Sequence, residues 1–195
     1  ADLSCNVDGD TSSLENLKNN PGSSGISLVE LITAINRAGA GSGRVFIGFE
    51  REGSITCSND IPEINAPISI NGDINGDSVP DIKVQGDGSA FKVRGSDVTI
   101  QQLAFLGVKS DFPNFRPIEI EYSRDGLGIS NVAVLNNKML NVYKGVLIDS
   151  SGHLALRNLL VSNNIISNTR YDDDAIEIGL NKDDDNCGNL ILANN

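Results

Sequence analysis

The fold is decided by a stretch of seven residues that occurs three times: Asn131-Val132-Ala133-Val134-Leu135-Asn136-Asn137, Asn158-Leu159-Leu160-Val161-Ser162-Asn163-Asn164 and Asn189-Leu190-Ile191-Leu192-Ala193-Asn194-Asn195. The copies start 27 and 31 residues apart. A fainter copy, residues 102–108, starts 29 residues before the first. Apolar residues that alternate with polar ones and recur at this period are typical of stacked strand-and-turn rungs rather than of helix pairs.

A second set of strands repeats in phase with the first. Its members are residues 90–94, 117–121, 145–149 and 175–179, which start 27, 28 and 30 residues apart. The two families together predict an all-β fold, a right-handed parallel β-helix, in which each turn buries its apolar side chains by stacking on its neighbours. The amides of six residues are expected to form a hydrogen-bonded ladder at one turn, namely Asn136, Asn137, Asn163, Asn164, Asn194 and Asn195.

Composition argues against two classes of partner. The chain has 195 residues, enough for one domain with a continuous core, and its formal net charge is −11. Nucleic acid is not expected as a partner, because a phosphate backbone requires a basic surface and Lys and Arg number only 15. No apolar run approaches the roughly 20 residues that a membrane helix needs, so membrane insertion is not expected either.

The residues before the strands divide into an arm and a helix. Residues 1–25 are polar and are expected to form an extended or loosely packed N-terminal arm. Residues 26–39 predict an amphipathic helix: Ser27 and Glu30 have the spacing of a capping box, and Gly39 is a typical helix end. The first rung of a solenoid exposes an apolar end, so this helix is predicted to cap it.

The strands then occupy residues 40–195, and no closing helix or polar rung follows the last copy of the repeat. The last rung is therefore expected to lack a C-terminal cap. Either a longer natural polypeptide continues the stack, or another chain covers the open end. An open strand edge favours pairing with a further copy of the chain.

Four stretches resemble the amino-terminal part of secreted bacterial right-handed parallel β-helix proteins. They are Ser27-Leu28-Val29-Glu30-Leu31-Ile32, Val45-Phe46-Ile47, Pro67-Ile68-Ser69-Ile70-Asn71-Gly72 and Asp77-Ser78-Val79-Pro80-Asp81-Ile82. The chain is similar to the group whose capping helix carries a Cys-Ser-Leu-Arg-Glu-Ala signature, although Ile26, Val29 and Leu31 replace its Cys, Arg and first Ala. This group is related in fold to pectate lyases and adhesin passengers. The resemblance implies a secreted or cell-surface protein and leaves open whether it is an enzyme.

The three cysteines leave one without a partner. Cys187 has the rung position that we assign to Ile100, Ile129 and Leu156, which predicts a small buried residue. Cys5 and Cys57 are then expected to form a disulfide that ties the arm to the first rungs.

Four carboxylates take outward positions on the second strand family: Glu119, Glu121, Asp149 and Glu177. Rungs stack about 4.8 Å apart, so Glu121 and Asp149 are expected to be neighbours, with Glu119 and Glu177 roughly 10 Å apart. Carboxylate pairs at such separations approach the geometry of glycosidases, and neighbouring like charges raise one pKa as a general acid requires. Alternating strands also turn polar residues outward merely to keep a face hydrated. A catalytic pair and a solvated charged row both fit the pattern.

Two acidic stretches are candidate calcium sites. One is Asp172-Asp173-Asp174, directly before a predicted strand. The other has oxygen ligands at positions 1, 3, 5 and 9 of an EF-type loop, in Asp73, Asn75, Asp77 and Asp81. It lacks the glycine at position 6 and the acidic residue at position 12 of that loop. Loop aspartates are also often only solvated. Ca²⁺ is the one cofactor that the sequence suggests.

These observations support two hypotheses of function. The first is an extracellular structural or adhesive surface module that associates end to end with its own copies. The second is a polysaccharide-active enzyme, a lyase or glycoside hydrolase or the N-terminal part of one, with Glu119, Glu121, Asp149 and Glu177 as its catalytic face. A carbohydrate-binding module without turnover lies between them. The expected partners are extracellular polysaccharide or further copies of the chain.

Overall fold

The computed structural model of the chain is a parallel β-solenoid of about four turns with two short helices at its N-terminal end. Helix α1 spans Leu14–Asn19 and helix α2 spans Leu28–Ala38. The structure describes residues 1–39, 41, 43–56, 61–86, 88–108, 114–121, 128–149, 155–169, 174–179 and 188–195. Every strand pair among the described residues is parallel, as the predicted β-helix requires.

Three sheets form the sides of the solenoid, each with one strand per turn. The six-stranded sheet contains β1 (Val45–Ile47), β3 (Ile68–Asn71), β6 (Val98–Gln101), β9 (Ile129–Leu135), β12 (Leu156–Ser162) and β15 (Gly188–Ala193). The five-stranded sheet contains β2 (Gly53–Thr56), β4 (Ile82–Gly86), β7 (Leu103–Gly107), β10 (Lys138–Leu140) and β13 (Ile165–Ser167). The four-stranded sheet contains β5 (Ser89–Val93), β8 (Arg116–Glu121), β11 (Val146–Asp149) and β14 (Ile176–Gly179).

The register of the two predicted strand families is confirmed. Val161 pairs with Val134 on one side and with Leu192 on the other, so the three copies of the heptapeptide stack in the six-stranded sheet. In the four-stranded sheet, Ile118 pairs with both Phe91 and Val146. Successive turns of one solenoid therefore lie directly over one another.

The assignment of residues 102–108 as a fourth copy of the heptapeptide is wrong. Strand β7 pairs with β4 and β10 in the five-stranded sheet, and the rung below β9 is instead β6, with Ile100 opposite Val134. Ile100 consequently does not share the position of Ile129, whose partner is Leu156. The similarity misled because any strand of this solenoid alternates apolar and polar residues, whichever sheet it belongs to.

The core lies inside the three sheets and is built mainly from Ile, Val and Leu. Three buried phenylalanines meet in its middle turns. The rings of Phe91 and Phe105 are 5.9 Å apart and nearly perpendicular, and those of Phe105 and Phe115 are 6.5 Å apart. Edge-to-face contacts of this kind are favourable beyond the apolar area they bury.

Helix α2 lies over the first turn, with its apolar side in the same core. The predicted capping box is present: Ser27 Oγ accepts from the Glu30 N–H, and Glu30 Oε2 accepts from the Ser27 N–H at 2.9 Å. Gly39 ends the helix with φ 73°. The Asn36 amide donates to the Glu63 carbonyl at 2.6 Å and accepts from the Asn65 N–H at 2.9 Å. The Asn36 side chain thus occupies backbone groups that a preceding strand would otherwise pair.

The N-terminal arm is more ordered than its composition suggests. It contains α1, whose Leu17 is fully buried, and Asp2 forms a parallel bridge to Ser27. The buried Glu30 carboxylate fixes the arm to α2, because Glu30 Oε1 accepts from the N–H groups of Asp8 and Gly9 at 2.9 and 2.7 Å. One side chain therefore joins the helix cap to the arm.

Candidate functional site

An inner ladder of asparagines runs up one corner of the solenoid. Asn164 Oδ1 accepts from Asn137 Nδ2 at 3.0 Å, and Asn195 Oδ1 accepts from Asn164 Nδ2 at 2.9 Å. Asn137 and Asn164 are buried, and their Nδ2 groups also donate to the carbonyls of Ile100 and Val134. Each amide thus joins neighbouring turns at a corner where the backbone leaves the sheets.

Outer ladders follow the same corners. Asn136, Asn163 and Asn194 have φ of 55°, 57° and 53°, a left-handed conformation that asparagine adopts more readily than most residues. Asn194 Nδ2 donates to Asn163 Oδ1 at 3.2 Å. Two further left-handed sets were not expected: Asn131, Asn158 and Asn189, and Asn141 with Asn168. Their constant spacing in the sequence was the signal that could have identified them.

The four expected carboxylates share the outward face of the four-stranded sheet, which we call the charged face. One row contains Lys92, Glu119, Leu147 and Glu177, and the other contains Arg94, Glu121, Asp149 and Gly179. Glu121 and Asp149 are register partners, as expected, and Glu119 and Glu177 are separated by the strand that carries Leu147.

Cations of the same face pair with these carboxylates. The Glu119 side chain is only 1% exposed, and its two oxygens lie 3.2 Å from Arg116 Nη1 and 3.5 Å from Lys92 Nζ. Glu121 Oε2 accepts from Arg94 Nη2 at 2.6 Å, and Arg94 also lies 3.4 Å from Glu63. Mixed donors and acceptors in fixed positions are suited to binding a polar ligand.

The last turns continue this pattern. Lys144 pairs with Glu177, and both Lys144 Nζ and the Arg116 guanidinium lie 5.0 Å from the centre of the Tyr143 ring. Cations at this distance from an aromatic ring are held by its quadrupole. The sequence gave no indication of these ion pairs, because the partners lie on different turns and their pairing depends on side-chain rotamers.

The connections beside the charged face are longer than those at the asparagine corner. Residues 122–128 join β8 to β9, and residues 150–155 join β11 to β12. In contrast, only Asn136 and Asn137 separate β9 from β10. Binding residues are commonly placed on long loops beside a rigid scaffold, so loop length singles out the charged face.

The acidic loop between β3 and β4 is closed by its own backbone. Asp73 Oδ1 and Oδ2 accept from the N–H groups of Gly76 and Ser78, and Asp81 Oδ2 accepts from the Ile74 N–H at 2.8 Å. Ser78 has φ 68°, the left-handed conformation that glycine usually supplies at position 6 of an EF-type loop. The side chains present are hard oxygen donors, which suit Ca²⁺. Among the described residues, no three or more His, Cys, Asp or Glu side chains converge as a metal site.

Other predicted site residues are only partly described. Asp172 and Asp173 lie outside the described residues, whereas Asp174 is exposed just before β14. Cys5 is disulfide-bonded, and its Sγ lies 3.6 Å from the carbonyl oxygen of Thr56, the residue before Cys57. Cys57 and Cys187 both lie outside the described residues, so the pairing of Cys5 with Cys57 stays a prediction.

Neither helix of the described chain is long and apolar enough to cross a membrane. Comparison of the chain with protein-family models, with curated proteins and with solved structures gives no match. The arguments for function therefore come from the geometry of the charged face and of the ladders.

Proposed function

We propose that this protein is an extracellular structural and adhesive module that binds polysaccharide without cleaving it, through the charged face of the four-stranded sheet. The observation that carries the proposal is the pairing of the carboxylates with cations, above all the burial of Glu119 between Lys92 and Arg116. A general acid or base must reach the bond it acts on. Glu119 is instead held in an ion-paired network.

The rigidity of the scaffold supports a structural role. Hydrogen bonds between asparagines join successive turns at several corners, and the inner ladder is buried. A buried polar network with its partners satisfied favours one packing over alternatives. The disulfide of Cys5 supports an extracellular location, because disulfides persist mainly in oxidising compartments.

Binding is tested by calorimetric titration with a panel of neutral and uronate-containing polysaccharides. Lys92→Ala removes one cation of the charged face, and Lys83→Ala is the matched control, an exposed lysine on the outward side of β4. At least one polysaccharide is expected to bind the wild type, and Lys92→Ala is expected to weaken that binding roughly tenfold while the control leaves it unchanged. Equal effects of both variants, or no binding across the panel, contradict the proposal.

A polysaccharide-active enzyme is the second candidate, favoured by the register pairing of Glu121 with Asp149. The same panel is screened for new reducing ends and for absorbance at about 235 nm, the signature of the unsaturated sugar that a lyase releases. Turnover that Glu121→Gln or Glu177→Gln abolishes would establish the enzyme and refute the non-catalytic proposal. Binding without turnover supports the module.

Calcium is part of the same proposal. The loop of residues 73–81 supplies oxygen donors at the spacing of an EF-type site, and Ser78 takes the backbone conformation that this spacing needs. A bound ion there would stabilise the connection between β3 and β4.

A further inference from the structure

The outward face of the six-stranded sheet carries no charged side chain on its two central rows, and we call it the neutral face. One row contains Phe46, Ser69, Thr99, Ala133, Leu160 and Ile191. The other contains Asn71, Gln101, Leu135, Ser162 and Ala193. Alternate residues of the same strands, such as Ile70 and Val134, are buried in the core, which establishes that both rows point outward.

The other two faces differ from the neutral face. All positions in the rows of the charged face except Leu147 and Gly179 are ionisable. The outward side of the five-stranded sheet carries Lys83 and Lys138. At the corner beside the neutral face, Arg44 lies 3.7 Å from Asp97 and offsets its charge. A chain with net charge −11 thus keeps one flat side free of charge, which is unusual for a surface that only faces water.

Exposed apolar residues are concentrated on this face. Phe46 is 77% exposed on the first strand, and Ile191 is 54% exposed on the last. Leu160 and Leu135 lie between them and are half-buried. We propose that the neutral face is an interface between two copies of this chain, packed side by side about a two-fold axis. This inference is independent of polysaccharide binding and differs from end-to-end association, because strand edges take no part in it.

The order of side chains along the main row fits a two-fold axis parallel to the strands. Such an axis reverses the order of the turns, so each residue faces the one that is equally far from the opposite end of the row. Ser69 then faces Leu160 of the second copy, and Thr99 faces Ala133. Small side chains oppose larger ones, as close packing of two sheets requires. Phe46 faces Ile191 and covers the two most exposed apolar side chains of the row.

The absence of charge on the face is also what self-association of an acidic chain requires. Two copies with a net charge of −11 repel each other, and charges on the contact surface would add desolvation to that repulsion. Six strands spaced about 4.8 Å apart give a face of roughly 400 Å² per copy. This area is at the low end for specific interfaces, so the dimer is expected to be weak and to depend on concentration and on salt.

The experiment is sedimentation equilibrium of the full chain over a concentration range up to about 1 mM, where even weak association becomes measurable. The wild type is expected to dimerise, and more strongly at high salt, because screening reduces the repulsion. Leu160→Arg is expected to raise the dissociation constant roughly tenfold or more. Leu140→Arg, on the outward side of β10, is the matched control and is expected to leave the dissociation constant unchanged.

A charge exchange tests the register directly. Ser69→Glu alone is expected to weaken the dimer as Leu160→Arg does, whereas the double variant places Glu opposite Arg of the second copy and is expected to recover most of the affinity. Within one copy the two positions are three strands apart, so they do not pair internally. Thermal unfolding verifies that each variant is folded. A monomeric wild type, a dimer that Leu140→Arg disrupts equally, a dimer insensitive to Leu160→Arg, or a double variant no tighter than the singles overturns the proposal.

Discussion

Asn137 and Asn164 lie one above the other, and Asn164 Oδ1 accepts from both the backbone N–H and Nδ2 of Asn137, at 3.1 and 3.0 Å. Asn195 repeats the arrangement one turn further, with its Oδ1 2.9 Å from Asn164 Nδ2. Both Asn137 and Asn164 are buried. These amides therefore replace water as partners of backbone groups at a corner that no sheet satisfies.

The first prediction concerns this ladder. Asn164→Ala removes the acceptor of two Asn137 donors and the donor to the Val134 carbonyl. The free energy of unfolding is expected to fall by about 3 kcal/mol, because buried polar groups lose their partners. Asn163→Gly is the control: glycine keeps the left-handed backbone of the exposed neighbour and is expected to cost less than about 1 kcal/mol. Urea unfolding measures both, and equal losses would contradict the buried ladder.

The second prediction concerns Glu30. Its carboxylate accepts from the N–H groups of Asp8, Gly9 and Ser27, whereas the glutamine of Glu30→Gln presents an NH₂ group to some of these donors. We expect hydrogen exchange of the Asp8 and Gly9 amides to accelerate and unfolding to become easier by about 2 kcal/mol. Glu15→Gln, on the exposed side of α1, is the control. If the exchange of both amides is unchanged in Glu30→Gln, Glu30 does not fix the arm.

The third prediction concerns pH. Hydrogen bonds from the side chain and backbone of Ser23, and from Ser24, lower the pKa of Asp8 below its ordinary value of 3.8. A carboxyl whose pKa is lowered by folding stabilises the fold above its unfolded pKa, and this contribution is lost as the pH falls through the lower folded value. Titration by carbon NMR is expected to give an Asp8 midpoint below 3.8. Ser23→Ala is expected to move the midpoint upward, and a midpoint that this variant does not move would refute the cause given.

The fourth prediction concerns calcium. If the loop of residues 73–81 binds Ca²⁺, calcium at about a hundred times its dissociation constant raises the stability of the fold by roughly 2.7 kcal/mol. Asp77→Asn removes one charged ligand and is expected to reduce this increase, whereas Asp10→Asn in the arm leaves it unchanged. Thermal unfolding with calcium and with a chelator measures the difference. No increase for the wild type, or an increase that Asp77→Asn retains in full, contradicts the site.

The sequence predicted those parts of the fold that repeat at constant spacing. The heptapeptides reveal β9, β12 and β15, and the pattern of Ser27 and Glu30 reveals α2. The five-stranded sheet escaped prediction because β10 and β13 have only three residues each, too few to show a period. The rung of β6 was missed because Gln102, not asparagine, holds the left-handed corner there, with φ 54°.

The candidate site was predictable only in its placement. The alternation of β8 and β11 put Glu119, Glu121 and Asp149 on the outward face, where the structure has them. That Glu119 is buried and paired with Lys92 and Arg116 depends on contacts between turns and on side-chain rotamers, which no local pattern records. The same contacts changed the preferred function from catalysis to binding.

The most direct test of the account is a set of backbone nuclear Overhauser contacts around Val161 in solution. The parallel solenoid predicts contacts from Val161 to the strand of Val134 on one side and to the strand of Leu192 on the other, in the staggered pattern of parallel pairs. Close contacts between α-hydrogens of facing residues, which only antiparallel strands give, or the absence of contacts to either strand, would contradict the stacked register on which every face and ladder depends.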